Sequence, residues 1–344
     1  MNIFGREDFL IITDYLKEGY DVADTIQQVI DENPNRTIYF PDGEYVLTHP
    51  ILTPAKPSDS VSLSLSSYAV LKASDDWSDT EAMVRLGGKT PANDIRTNGS
   101  NYYFEGGIVD GNGRANGISI DGGRETAIRS VSIKHTRIGI HIKKGCNGAG
   151  SSDSDIRDVN IVGTGATDSI GVLVEGLDNS LTNMRIASVF IGVDLVGSGN
   201  FLRCIHPLYT GNSNYEDYEN SCGFRECSQN WYQNCYSDQF GIGFRTTRAT
   251  TSIFESCNSY WYSPREGKHI GFKADGKFNA VLTNFRVGSR NFEPEGRAQS
   301  MVLSVGESGG HGVIDRLIAY PSFFWDESTD QSYKDYVKAE TILY

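Results

Sequence analysis

The segments Gly139-Ile-His-Ile142, Gly171-Val-Leu-Val174 and Gly192-Val-Asp-Leu195 repeat one short pattern, a glycine followed by apolar residues at alternate positions. Related segments begin 20 to 32 residues apart along the chain, at Gly117, Gly139, Gly171, Gly192, Gly223, Gly243, Gly271 and Ser300. A repeat of this length that holds only short strands cannot bury its own apolar face. The pattern therefore predicts a solenoid in which successive coils stack in parallel.

A second short strand follows each of these segments. Its predicted centres are Val131, Val159, Met184, Cys204, Cys235, Cys257, Phe285 and Leu317. Parallel stacking places equivalent residues of neighbouring coils about 4.8 Å apart, so like side chains form ladders. Cys204, Cys235 and Cys257 are predicted to share one position as a ladder of buried thiols, because a buried free cysteine behaves as a small apolar side chain.

The segment before the repeats carries one helix signal. Residues 21–32 place Val22, Ile26, Val29 and Ile30 on one face, with Asp21 as the N-cap and Asn33-Pro34 as the stop. Thr37-Ile-Tyr-Phe-Pro-Asp-Gly-Glu-Tyr-Val-Leu47 then predicts a strand, a Pro-Asp-Gly turn and another strand.

These segments resemble the right-handed parallel β-helix proteins of the pectate-lyase-like superfamily. The likeness rests on the opening helix with Thr37-Ile-Tyr-Phe-Pro-Asp-Gly-Glu-Tyr45, and on Ser169-Ile-Gly-Val-Leu-Val174, Asp178-Asn-Ser-Leu-Thr-Asn183 and Asn200-Phe-Leu-Arg-Cys-Ile-His-Pro207. It covers roughly residues 20–320. The resemblance implies an all-β solenoid with an N-terminal helical cap and an activity on carbohydrates. The family includes lyases, glycosidases, epimerases and phage tailspikes, so the fold does not choose among them.

Composition limits the partners and the domain organisation. We expect one β-helix domain over residues 1–344, with an N-terminal cap and first coil at 1–50, regular coils at 100–320 and a C-terminal cap at 321–344. The net charge of −13 argues against nucleic acid, and the apolar runs are too short to span a membrane. The first residues carry no recognisable secretory signal, which predicts a cytoplasmic or phage-particle protein, or a secreted one whose leader is missing.

Alternate side chains of the glycine segments should point outward, and this outward column supplies the catalytic candidates. Asp194 and Glu175 are the best carboxylate pair, one coil apart and two residues out of register. Their backbones are expected to lie about 8 Å apart, compatible with the roughly 6.5–9.5 Å of inverting glycosidases. Glycoside hydrolysis by this pair is the first functional hypothesis.

β-Elimination on a uronate polymer is the second hypothesis. Arg225 or Arg245 would act as the base, and His141 and Lys273 would help to bind the anionic sugar. No cofactor is required for hydrolysis, whereas a lyase could use calcium held by carboxylates such as Asp194. A mixed-charge solvated face is the plain alternative for this column.

Three long insertions, 206–221, 258–270 and 286–299, are predicted to leave the same corner of the coil. They add aromatic and acidic candidates for binding an oligo- or polysaccharide: Trp231, Tyr236, Trp261, Tyr262, Glu216 and Asp217. Part of these aromatic side chains could instead pack the loops onto the coils. The third hypothesis is a tailspike-like or non-catalytic glycan-binding β-helix, with a homotrimer as the expected assembly.

Overall fold

The computed structural model describes residues 9–90, 103–144, 151–211, 215–262, 267–289, 298–320 and 341–343. The strands fall into two classes. The glycine strands are β4 (Ile51–Pro54), β7 (Ala82–Thr90), β10 (Asn116–Ile120), β13 (Ile138–Ile142), β15 (Ile170–Val174), β17 (Ile191–Leu195), β19 (Cys222–Glu226), β22 (Ile242–Thr246), β25 (Gly267–Lys277) and β27 (Ala298–Glu307).

The bent strands form the other face of each coil. They are β1 (Phe9–Ile11), β2 (Thr37–Phe40), β3 (Gly43–Leu47), β5 (Ser62–Leu65), β6 (Ala69–Ala73), β8 (Tyr103–Glu105), β9 (Ile108–Asp110), β11 (Ala127–Arg129), β12 (Ser132–Thr136), β14 (Asp155–Gly163), β16 (Ser180–Ala187), β18 (Phe201–Leu208), β20 (Trp231–Gln233), β21 (Tyr236–Asp238), β23 (Ile253–Glu255), β24 (Asn258–Trp261), β26 (Val281–Ser289), β28 (Val313–Tyr320) and β29 (Thr341–Leu343). The helices are α1 (Val22–Glu32) and α2 (Tyr215–Tyr218), with 3-10 turns at Ile12–Asp14 and Pro57–Asp59.

Neighbouring strands pair in parallel in both classes, which confirms the predicted parallel β-helix. The chain divides into two compact units. The first unit is Met1–Thr164 with Val172–Ser180, and the second is Gly165–Gly171 with Leu181–Tyr344. In the first unit the glycine strands pair in the order β4, β7, β10, β13, and in the second in the order β17, β19, β22, β25, β27. The predicted C-terminal cap at 321–344 lies almost wholly outside the described residues.

Helix α1 covers the first glycine strand, as the sequence predicts for an N-terminal cap. Asp21 caps the helix by accepting a 3.0 Å hydrogen bond from the Asp24 amide. The apolar face of the helix, with Ile26 and Ile30, is buried. The side-chain amide of Gln27 donates to the Leu52 carbonyl at 3.0 Å and accepts from the Leu52 amide at 2.8 Å. The helix thereby occupies backbone groups of β4 that an open strand edge would leave unpaired.

The glycines of the repeat lie in register beneath one another. A Cβ atom at Gly192 would lie 2.4 Å from the Gly223 carbonyl oxygen, and one at Gly223 would lie 2.7 Å from that of Gly243. Gly243 meets Gly271 in the same way in the second unit, and Gly117 meets Gly139 in the first. Only glycine permits this approach of backbone to backbone, so the predicted alignment of these glycines is confirmed.

The thiol ladder is correct for two cysteines and wrong for Cys204. Cys235 and Cys257 stack as buried neighbours, and their thiols donate to the Gln233 and Glu255 carbonyl oxygens at 3.6 and 3.5 Å. The register that pairs Leu202 with Tyr232 places Ile205, not Cys204, beside Cys235. Cys204 instead has a φ of 54° and occupies the left-handed bend between the two halves of its coil.

That left-handed bend recurs in the second unit, and it explains the one-residue error. The equivalent positions are Asn183, Cys204, Asn234, Ser256, Asn284 and Arg316, with φ between 50° and 60°. Asparagine tolerates this conformation better than most residues. Counting along the strands without this bend shifts the position of Cys204 by one residue.

Two further expectations need correction. β25 pairs Lys273 with Ser304, so the last repeat is displaced, and the residue equivalent to Gly271 is Val302 rather than the predicted Ser300. The predicted insertions are also shorter than expected, because their ends belong to β18, β24, β25, β26 and β27. The remaining loop segments 263–266 and 290–297 lie outside the described residues.

Candidate functional site

The glycine strands of the first unit carry two outward columns of polar residues. Ser119 pairs with Arg85 on the coil before it and with His141 on the coil after it. Two residues further along, the Lys143 amide bonds the Ile120 carbonyl and the Glu175 amide bonds the Ile142 carbonyl. Asp121, Lys143 and Glu175 therefore occupy one outward position on three successive coils.

Asp121 is surrounded by hydrogen-bond donors. Arg85 Nε lies 2.8 Å from Asp121 Oδ2, and Lys143 Nζ lies 3.3 Å from the same oxygen. The Ser119 hydroxyl donates to Oδ1, and Lys143 also contacts Glu81. The Asp121 side chain is only 8% exposed. These contacts fix the carboxylate between two cations at the base of the outward face.

Glu175 is the more accessible carboxylate of this column. His141 Nε2 lies 2.9 Å from Glu175 Oε2, and the two side chains are 22% and 35% exposed. The contact tilts Glu175 toward the coil that carries His141, which is also the direction of Asp121. A carboxylate paired with an imidazole and open to solvent can exchange protons with a bound ligand.

The second unit carries simpler ion pairs at the equivalent outward position. Asp194, Arg225, Arg245 and Lys273 lie in register on β17, β19, β22 and β25. Arg225 binds Asp194 through two bonds, Nε to Oδ1 at 2.9 Å and Nη2 to Oδ2 at 2.6 Å. The hydrogen bond to Asp194 raises the pKa of Arg225. This arrangement fixes both side chains on the outward face.

Arg245 and Lys273 share Asp275 in the same way. Arg245 Nε lies 2.9 Å from Asp275 Oδ2, and Lys273 Nζ lies 3.8 Å from Oδ1. The sequence-predicted pair Asp194 and Glu175 falls in different units, and each member is held by a partner of its own unit. Its joint catalytic role stays a prediction.

The aromatic candidates are dispersed. Trp231 stacks on Phe201 with ring centroids 4.8 Å apart. Trp261 is 1% exposed and its indole N–H donates to the Phe240 carbonyl at 2.6 Å, so its ring lies in the core and could stack on a sugar only by leaving it. Tyr262 is 53% exposed. Asp217 lies on α2 and is half-buried, whereas the Glu216 side chain is outside the described part of the molecule.

Tyr236 belongs to a separate polar cluster on the bent strands. Its ring stacks on His206 with centroids 4.3 Å apart. Burial raises the pKa of Tyr236, as does the nearby Asp238 carboxylate. His206 Nε2 lies 3.5 Å from Asp238 Oδ2. No sequence pattern joins these residues, because their contact follows from the bend that sets the register of β18 and β21.

The inward face holds one unexpected carboxyl. Glu226 is 1% exposed, and it accepts hydrogen bonds from the Tyr232 hydroxyl at 2.8 Å and the Thr250 hydroxyl at 2.7 Å. Burial raises the pKa of Glu226 to about 7 despite these donors. The side chain points into the core, where a glycan has no access.

Asp21, Asp24 and His49 are the one group of three metal-ligating side chains found among the described residues. They lie at the exposed start of α1, where Asp21 already serves as the cap. Within the same described part of the chain, neither helix has the length and apolar character needed to cross a membrane.

No family model and no curated protein matches the chain by sequence. Solved structures match its fold at low identity. Endo-xylogalacturonan hydrolase from Aspergillus tubingensis has a TM-score of 0.62 and 12% identity, covering 92% of this chain and 98% of that one. Alginate lyase from Paenibacillus sp. has a TM-score of 0.60 and 14% identity, covering 86% and 99%.

The surface adhesin PfbA of Streptococcus pneumoniae also matches, with a TM-score of 0.56 and 11% identity, covering 97% of this chain and 96% of that one. A hydrolase, a lyase and an adhesin thus share this fold. The chain has the parallel β-helix architecture that these proteins share, and the likeness extends to the fold alone.

Proposed function

We propose that the protein hydrolyses glycosidic bonds of an oligo- or polysaccharide on the outward face of its glycine strands. The observation that supports this function best is the column Asp121, Lys143 and Glu175 in the first unit, with His141 beside Glu175. It offers two carboxylates of different accessibility within one compact unit. Hydrolysis of a glycoside requires such a pair.

The spacing of the two carboxylates favours an inverting reaction. Asp121 and Glu175 lie two coils apart, which separates their backbones by roughly 10 Å. The contact with His141 tilts Glu175 back toward Asp121. A final separation inside the roughly 6.5–9.5 Å of inverting enzymes leaves room for a water molecule between a carboxyl group and the sugar.

The two carboxylates would then have different roles. Glu175, open to solvent and paired with an imidazole, exchanges the proton with the leaving oxygen. Asp121 accepts hydrogen bonds from two cations and from the Ser119 hydroxyl. Once the Ser119 hydroxyl releases Oδ1, this oxygen would accept the proton of the attacking water. Asp194, Arg225, Arg245 and Lys273 would bind anionic sugar units on the outward face of the second unit.

The decisive experiment is a panel of neutral and acidic oligosaccharides with product masses as the readout. Hydrolysis adds one water per bond cleaved. We expect Glu175→Gln and Asp121→Asn each to lower the rate of cleavage by about 10³-fold. The matched control is Asp155→Asn, which removes a carboxylate paired with Arg129 at 2.7 Å on a bent strand of the same unit. Binding of a glycan without cleavage by the unaltered protein would refute hydrolysis and favour an adhesin-like role.

β-Elimination on a uronate polymer is the second candidate, and the cation column of the second unit supports it. Arg225 and Arg245 each bind a carboxylate, whereas Lys273 makes only a 3.8 Å contact with Asp275 and is the freest base of the three. Elimination would give an unsaturated product that absorbs in the ultraviolet, with fragment masses that sum to that of the substrate. Loss of that absorbance in Lys273→Met would establish this candidate in place of the first.

A further inference from the structure

A file of apolar side chains runs along the outward surface of the bent strands in the second unit. Strand pairing places one residue from each of five successive coils in this file: Phe201, Trp231, Ile253, Val281 and Val313. We call these five residues the apolar strip. At about 4.8 Å per coil, the strip is roughly 19 Å long.

Most of the strip is exposed to solvent. Phe201 is 53% exposed, Ile253 is 37% exposed and Val313 is 44% exposed. The rings of Phe201 and Trp231 stack at 4.8 Å with an angle of 10° between them, so each ring covers one face of the other. A continuous apolar file of this kind usually marks a surface that another molecule covers.

The fold does not require apolar residues at this position. In the first unit the same position, directly before the first inward residue of each coil, holds Phe9, Thr37, Ser62, Tyr103, Ala127 and Asp155. Phe9 on the first of these coils is apolar and 44% exposed, whereas the five residues that follow are polar, small or carry a hydroxyl group. The unbroken apolar file of the second unit is therefore not a requirement of the repeat.

A polar file runs beside the strip, two residues further along each coil. It reads Arg203, Gln233, Glu255, Thr283 and Asp315. A cation stands at one end and a carboxylate at the other. The side chains of the strip also become smaller from the Arg203 end to the Asp315 end, since the two aromatic rings lie at the first end and two valines at the second.

We propose that the apolar strip is the contact surface of an antiparallel, two-fold symmetric dimer of this chain. A two-fold axis that passes through Ile253 at right angles to the file reverses the second copy. Phe201 then lies opposite Val313 of the second copy, and Arg203 lies opposite its Asp315. Large side chains meet small ones, and each charged end meets the opposite charge, as an isologous interface requires.

Other arrangements satisfy these features less well. A parallel assembly about an axis along the solenoid would place Arg203 against Arg203 and Phe201 against Phe201. One face of each ring is already covered by the other ring, which halves the aromatic surface on which a sugar could stack. The antiparallel dimer also brings two Glu255 side chains together at the axis. This like-charge contact weakens the dimer, although one oxygen of each Glu255 accepts a hydrogen bond from Gln233 at 3.1 Å.

Charge reversal measured by sedimentation velocity tests the arrangement. The unaltered protein should sediment as a dimer at high concentration and dissociate on dilution. Arg203→Asp and Asp315→Arg should each weaken the dimer at least about tenfold, and the double variant should restore it. A protein that stays monomeric, or a double variant no tighter than the single ones, would overturn the proposal.

Cysteine cross-linking fixes the direction of the second copy. Ile253→Cys should form a disulfide-linked dimer on mild oxidation, and Phe201→Cys should cross-link only when Val313→Cys is also present. The unaltered protein is the control for its own free cysteines. Cross-linking of Phe201→Cys alone, a trimer, or quenching of Trp231 fluorescence by an oligosaccharide bound to a monomer would each contradict the antiparallel dimer.

Discussion

The outward faces of the glycine strands differ between the two units, although the backbone is the same. In the first unit, Asp121 is linked to Arg85 and Lys143, and Glu175 to His141. In the second unit, each cation binds one carboxylate, as Arg225 binds Asp194. The repeat supplies the positions, while the sequence decides whether they hold a solvent-accessible carboxylate beside an imidazole or a closed ion pair.

The largest expected effect is a difference in catalytic rate between a variant of the first unit's outward face and a variant of the second unit's outward face. Glu175→Gln should lower kcat by about 10³-fold, since a positioned acid or base contributes roughly 10² to 10⁴-fold. Asp194→Asn should change kcat by less than about tenfold, because its carboxylate is already satisfied by Arg225. Initial rates on the cleaved oligosaccharide measure both. An equal loss of kcat in both variants would mean that the outward faces of the two units do not differ in their contribution to catalysis.

The second effect concerns the glycine ladder, which is continuous in the second unit. The first unit has Met83 at the position equivalent to Gly117. In the second unit a Cβ at Gly223 would lie 2.1 Å from Ser237 Oγ and 2.7 Å from the Gly243 carbonyl oxygen. Gly223→Ala should therefore lower the free energy of unfolding by about 3 kcal/mol.

Gly276→Ala is the matched control for this change. Its Cβ would meet nothing closer than 3.9 Å, and it should leave the free energy of unfolding almost unchanged. Urea denaturation of the two variants provides the comparison. Equal stability of both proteins would mean that the ladder of glycines does not require their small size.

The third prediction concerns the pH dependence of stability that comes from Glu226, the carboxyl group of the second unit that points inward rather than outward. Burial raises the pKa of Glu226 to about 7, above its unfolded value of 4.5. A raised folded pKa contributes stability that is complete below pH 4.5 and is lost as the pH rises through 7. We expect the unfolding free energy to fall by on the order of 2 kcal/mol between pH 5 and pH 8.

Glu226→Gln should remove this pH dependence, because an amide does not titrate. Thermal unfolding of both proteins at pH 5 and pH 8 provides the measurement. A decrease in melting temperature that is the same size in the variant would assign the effect to other groups.

The smallest effect addresses binding in the second unit. Arg225→Gln should weaken the binding of an acidic oligosaccharide by about tenfold, which corresponds to roughly 1.4 kcal/mol. Isothermal titration calorimetry with a neutral and an acidic oligosaccharide separates charge recognition from general damage. An unchanged dissociation constant for the acidic oligosaccharide would exclude Arg225 from binding it.

The fold could be predicted because its signals are local. Glycine followed by alternating apolar residues marked β10, β13, β15, β17, β19, β22 and β25, and Asp21 marked the start of α1. The left-handed bend could not be counted from apolar spacing, since asparagine, serine and cysteine all occupy it. Because the apolar spacing does not reveal the residue at the bend, the sequence analysis placed Cys204 beside Cys235 instead of Ile205.

The candidate site was only partly predictable. Glu175, His141 and Asp194 follow from the alternation of side chains along each strand. Arg85 did not, because β7 lacks the glycine that marks the repeat, and the contact of His206 with Tyr236 depends on the register across the bend. Burial of Trp261 could not be inferred either, since an aromatic residue at a strand end serves a core and a sugar site equally well.

Stereochemistry is the most direct test of the stacked column in the first unit. The anomeric proton of the new reducing end can be followed by ¹H NMR during the first minutes of cleavage. Asp121 and Glu175, two coils apart, predict that the first product has the opposite anomeric configuration to the substrate. A first product that retains the configuration would place the reacting carboxylates closer than this column allows, and the assignment of Asp121 and Glu175 would be wrong.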